Sequence, residues 1–117
     1  MSAVYVFSSI GRFQSFKDLR KYIDKSYTAD GVGIPSDFIQ EVGLSEYEPA
    51  CIEAVVSETG IIPLEELLAD VSYADQWKIN FPLGRKADAA ICVYPPNELQ
   101  NPQNCTLDFI GLFHYDE

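Results

Sequence analysis

The run Asp30-Gly31-Val32-Gly33-Ile34-Pro35-Ser36-Asp37-Phe38 has the residue types of a glycine loop that opens a helix. Unpaired backbone N–H groups at such a place hold phosphates in many proteins. A phosphate loop also needs further glycines at set spacing and a following Lys or Ser/Thr. Only Gly31 and Gly33 are present, no strand leads into them, and Asp30 and Asp37 flank the helix start. A carboxylate there already answers the partial positive charge of the helix end and repels a second anion. The glycines are expected to let the chain turn tightly, with Pro35 in the first turn of the next helix fixing its entry.

The nucleophiles and acids support little else. Cys51, Cys92 and Cys105 are odd in number and lack metal-ligand spacing, which fits a reducing compartment. Cys51 and Cys92 lie in apolar runs expected to be strands, where a thiol is an inert small core residue. Cys105, at a loop-to-strand junction, is the one thiol worth testing, and the lone His114 sits beside the acidic end Asp116-Glu117. A small cytosolic enzyme built on Cys105 and His114 is the alternative these residues leave. Glu65 and Glu66 are adjacent and diverge on a helix, so they suit the helix N-terminus better than paired acid–base work. There is no His cluster and no D-x-D-x-D-G calcium loop. No catalytic residue, metal site or cofactor is expected.

What stands out is charge. The net charge is −10, and between Ser26 and Trp77 there is no Lys or Arg. That stretch holds eleven of the eighteen carboxylates: Asp30, Asp37, Glu41, Glu46, Glu48, Glu53, Glu58, Glu65, Glu66, Asp70 and Asp75. Such a field repels nucleic acid and anionic membranes and draws in a basic protein. Tyr27, Tyr47, Tyr73 and Trp77 lie among these acids, and aromatics amid charges are the usual anchors of a protein interface. The plainer reading of each aromatic, Trp77 above all, is core packing; that of the charge is solubility. The expected partner-binding set is Tyr27, Asp30, Asp37, Glu41, Glu46, Tyr47, Glu48, Glu53, Glu65, Glu66, Asp70, Tyr73, Asp75 and Trp77.

These residues need a frame. At 117 residues and nearly half apolar, the chain is expected to form one domain, 1–117, with its own core. No apolar run approaches the roughly 20 residues that span a bilayer. The start, MSAVYVFSSIGRF, has no charged region before its apolar run, so no signal peptide is expected and the location is cytoplasmic. Ala3–Phe7 reads as a first strand. Ser15 caps a helix with Phe16, Leu19 and Ile23 as its inward stripe and most of the positive charge on its other faces. A helix follows Pro35, with Phe38, Ile39 and Val42 inward and Gly43 as its C-terminal cap. Ile52, Ala54 and Val56 share one side of a strand within Ala50–Glu58. Ile62–Leu68 restarts a short helix, and Ser72–Asp75 caps another carrying Trp77. Asp88–Tyr94, nearly all apolar, reads as a central strand, and Thr106–Tyr115 as the last. The sum is α+β: about four mostly antiparallel strands in one sheet, with three or four helices packed on one face.

The order VYVFSS, then SFKDLRKYIDKSYTADGVGIPSDFIQEVGL, then IIPLEELLADVSYADQW and DAAICVY resembles the immunity protein 22 family of bacterial polymorphic-toxin and contact-dependent inhibition systems. The block Tyr27–Phe38 and the Glu-Glu-Leu-Leu…Ser-Tyr-x-x-x-Trp block carry most of the likeness, which extends to about Tyr94. The segment PPNELQNPQNCT and the final strand have no evident counterpart. The resemblance implies a small cytosolic α+β protein that binds and neutralises a cognate toxin, often a nuclease or other effector, and carries over no catalytic residues; a monomer or weak homodimer is expected. Pro35-Ser36-Asp37-Phe38 also echoes a larger immunity superfamily related to a yeast cell-wall regulator, but Val42-Gly43-Leu44 stands where that group has an Asn/Gly-rich turn.

Overall fold

A computed structural model describes residues 2–117. Its frame is a four-stranded, wholly antiparallel sheet whose strands lie in the order Ile52–Val56, Ala89–Val93, Ser2–Ser9, Asp108–Tyr115. These strands are β1 (Ser2–Ser9), β4 (Ile52–Val56), β7 (Ala89–Val93) and β8 (Asp108–Tyr115). Two short pairs complete the β-structure: β2 (Ser26–Tyr27) with β3 (Gly33–Ile34), and β5 (Ile62–Pro63) with β6 (Lys86–Ala87). The helices are α1 (Phe16–Ile23), α2 (Asp37–Val42), α3 (Leu64–Leu67) and α4 (Ala74–Trp77). The α+β expectation holds.

The helices do not share one face. Successive strand residues point to opposite sides of a sheet. Tyr5, Phe7, Ala89, Ile91 and Val93 pack with Leu19 and Ile23 of α1 and Phe38 and Val42 of α2. Val4, Val6, Ala90 and Cys92 pack on the other side with Leu64 and Leu67 of α3 and Ala74 and Trp77 of α4. This corrects the one-faced layout expected from the sequence. The physical reason is in β7: every one of its residues is buried, and a strand apolar on both sides must be covered on both.

Local expectations fared unevenly. Ser15 Oγ accepts from the Asp18 N–H at 3.0 Å, so the α1 cap is as read. Phe16 is not part of the inward stripe; it is 56% exposed, and Tyr22 takes its place in the core. Pro35 precedes α2 rather than opening it, and the cap is Ser36, whose Oγ accepts from the Ile39 N–H at 3.1 Å. Gly43 closes α2 in the left-handed conformation, φ 64°, where a side chain would be strained. A Cβ on Gly43 would also stand 3.2 Å from Asn101 Nδ2. The α4 cap is not Ser72 but Tyr73, itself left-handed at φ 61° and making no side-chain cap bond. Cys51 lies in a 3₁₀ turn, Pro49–Cys51, just before β4.

Candidate functional site

The acidic stretch runs from the β2–β3 hairpin through α2 and the edge strand β4 to α3 and α4. It therefore passes from one face of the sheet to the other around β4. The carboxylates follow it and do not gather on one face. The expected set divides accordingly, with Glu53 on β4 between the two groups.

On the α1–α2 side, Thr28 and Val32 close the hairpin through Thr28 N–H to Val32 O, 2.9 Å, with Gly31 at φ 83° in the turn. Asp30 and Tyr27 are exposed there, Tyr27 at 63%. The segment turns tightly at Gly31, as its residues implied, but it does so as a hairpin: strand β2 leads into it, against the sequence reading, and Gly33 lies in β3. Tyr47 is half-buried; its OH donates to Asp24 Oδ1 at 2.9 Å and Lys25 Nζ lies 5.6 Å from its ring centre. Burial and that hydrogen bond push the Tyr47 phenol up to about 12. Glu46 and Glu48 are both exposed, but Glu48 also has a partner in the fold: its Oε1 accepts from the Ala50 N–H at 3.2 Å and caps the 3₁₀ turn.

Glu41 is committed too. Its Oε1 accepts from Tyr22 OH at 2.6 Å, Thr106 N–H at 2.8 Å and Thr106 Oγ1 at 3.0 Å. Arg12 Nη1 donates to Thr106 Oγ1, and the guanidinium lies 4.6 Å from the Tyr22 ring centre. Burial alone would raise the Glu41 carboxyl, but the hydrogen bonds from Tyr22 and Thr106 and the nearby Arg12 outweigh it and hold it below the usual range. Asp37 lines a cleft of about 760 Å³ beside α1, together with Asp18, Asp24 and the bases Arg12, Lys17, Arg20, Lys21 and Lys25. Five of the eight bases thus collect on one flank.

On the α3–α4 side, Glu65, Glu66, Asp70 and Asp75 are exposed. Tyr73 is 42% exposed and stacks on Tyr115, ring centres 4.5 Å apart. Trp77 is fully buried, stacked against Phe113, its Nε1–H donating to Ser72 O at 3.2 Å. It offers nothing to a partner surface; the core reading of Trp77 is the right one. Glu53 points to this side, and its Oε1 accepts from the Ser72 N–H at 3.0 Å.

Burial works against two of the three thiols as nucleophiles. Cys105 is half-buried beside Tyr22 OH, and burial raises its pKa; burial does the same to Cys92 within β7. A raised thiol pKa removes the thiolate that a nucleophile needs. His114 is exposed on β8, opposite Ala3. Among the described residues no His, Cys, Asp and Glu grouping could hold a metal, and no helix is long and apolar enough to cross a membrane.

Sequence reasoning missed the Tyr22–Glu41–Thr106–Arg12 network and buried Asn97. The Asn97 Oδ1 accepts from the Glu48 N–H at 2.8 Å, and its Nδ2 donates to Glu48 O and Tyr94 O. Nothing local signals either. The Arg20–Asp24 pair, at 2.6 Å, went unread as well, although its i,i+4 spacing is a signal that could have found it.

The family model described as Immunity protein 22 matches residues 6–116. The chain belongs to this family. Of the two resemblances in the sequence, this is the one the match supports. The segment Pro95–Thr106 and strand β8 fall within the matched span, so they are part of the immunity protein 22 domain rather than an addition to it. Neither the curated proteins nor the solved structures returned a match. Membership supports an immunity function.

Proposed function

We propose that this immunity protein binds and neutralises a cognate protein toxin, and that the toxin presents a cationic surface, as a nuclease does. The observation that carries the reading is uncompensated charge. Eleven carboxylates lie in a stretch without a single base, and the only ion pair among the described residues, Arg20–Asp24, lies outside it. A folded chain with free carboxylates in excess on its surface steers a basic partner toward it and raises the encounter rate.

Nucleases need positive surfaces to hold phosphates. Exposed acids, among them Asp30, Glu46, Glu65, Glu66, Asp70 and Asp75, can stand in for those phosphates, while the accessible rings of Tyr27 and Tyr73 supply apolar contact. The protein acts by occupying the toxin, not by chemistry, in the cytoplasm, as a single-domain monomer or weak homodimer. The probe is the C-terminal toxin domain of a secreted protein, taken from the neighbouring gene where that gene encodes one. Co-expression is expected to restore growth of cells producing that domain, and calorimetry on the purified pair to show a one-to-one complex. Cells that die equally with and without the protein, and no heat of binding, would overturn the proposal.

A further inference from the structure

We propose that the free edge of β4 receives an extended segment of the toxin as an added strand. This rests on the toxin binding proposed above and names where and how that contact is made. The sheet has two edges, β4 and β8. The pairing of β8 with β1 shifts register between Val6 and Phe7, opposite Gly111; such a bulge bends an edge and spoils it as a template. Strand β4 pairs with β7 without any shift from Ile52 to Val56.

The alternation of hydrogen bonds says which groups of β4 are free. Cys51 O accepts from the Tyr94 N–H and the Ser57 N–H donates to Asp88 O, so residues 51, 53, 55 and 57 face β7. Ile52, Ala54 and Val56 turn their N–H and C=O outward. Those of Ile52 are taken, its N–H by Pro49 O and its carbonyl by Arg20 Nη1 at 2.7 Å. Among the described residues, no protein group meets the amides and carbonyls of Ala54 and Val56. Unpaired ladder groups on an edge are what a peptide strand adds to.

A cleft of about 370 Å³ lies along this edge between α1 and the end of α3. Its two walls differ in chemistry. Glu53 points to the α3 side, where exposed Asp70 stands; Phe16, more than half exposed, stands on the α1 side. Arg20 is the one base in the cleft, and it is committed to Asp24 and to Ile52 O. Side chains of a strand laid here would alternate between the two walls. The complementary occupant is a segment of the toxin with Lys or Arg at alternate positions facing Glu53 and Asp70, and apolar residues between them facing Phe16.

Amide hydrogen exchange on this protein, alone and with that toxin domain, tests this. The Ala54 and Val56 amides are expected to exchange fast in the free protein and at least about tenfold more slowly in the complex. Asp70→Lys, an exposed change that leaves the fold alone, is expected to weaken binding roughly tenfold, and Ala54→Pro, which removes one outward N–H, to weaken it further. A complex that forms with both amides exchanging as before overturns the edge contact and leaves toxin binding standing. Protection in the free protein that grows with its concentration assigns the edge to a second copy, and likewise overturns it. A toxin that does not bind at all removes both readings.

Discussion

Glu41 shows how far a residue's type is from its task. By sequence it is one more carboxylate in the acidic stretch, yet it ties α2 to α1 and to the loop before β8 through Tyr22 and Thr106. Its pKa is held below the ordinary 4.5, so the fold favours its charged form. The stabilisation is complete above that ordinary value and is lost as pH falls through the lower, folded one. Glu41→Gln is expected to cost about 1 kcal/mol at neutral pH and less at pH values of about 3. Urea denaturation of both proteins at the two pH values checks this; an equal difference at both would show that the charge plays no part. Glu48 and Glu53 hold the chain in the same way, so three of the eleven acids have work inside the fold. Residue type was legible from the sequence; burial and long-range partners were not. Trp77 and Tyr73 lie four apart in one acidic stretch, but one is sealed in the core and the other is open.

Among the elements, the features written in neighbouring residues were legible. The Ser15 cap, the Gly43 stop and the apolar run of β7 rest on contacts within a few positions, and all three are found. The placing of helices on both faces was not read, although β7 carried the signal: five buried residues in a row exclude an open face. Helices α3 and α4, with four residues each, are too short for a stripe to state which side they cover. Pairings between distant loops lay beyond local reading altogether. Asn97 joins the turn after β7 to the loop carrying Glu46 and Glu48, using both ends of its amide. Asn97→Ala leaves the Glu48 N–H without that partner and is expected to cost about 1–3 kcal/mol, seen as a lower midpoint in urea. A midpoint unchanged from the parent protein would mean the loop holds without it.

At the scale of the whole molecule, the charge is segregated but not in the way the sequence suggested. Five of the eight bases gather on the flank of α1, with Asp18, Asp24 and Asp37 among them, and the acids of the base-free stretch follow their chain segment around the β4 edge to both faces. No single mask of eleven carboxylates exists. What remains is an open strand edge between the two groups of acids, with Glu53 and Asp70 beside it. Attraction of this kind acts before contact, on the approach of the partner, and salt screens it within about 10 Å. The most direct measurement is the association rate with the toxin domain over a range of ionic strength, for the parent protein and for one carrying Glu46→Lys, Glu65→Lys and Glu66→Lys. The parent rate is expected to fall by roughly tenfold or more from low to physiological salt, and the triple variant to start slower and respond less. Equal rates for the two proteins at every salt concentration would contradict electrostatic recognition.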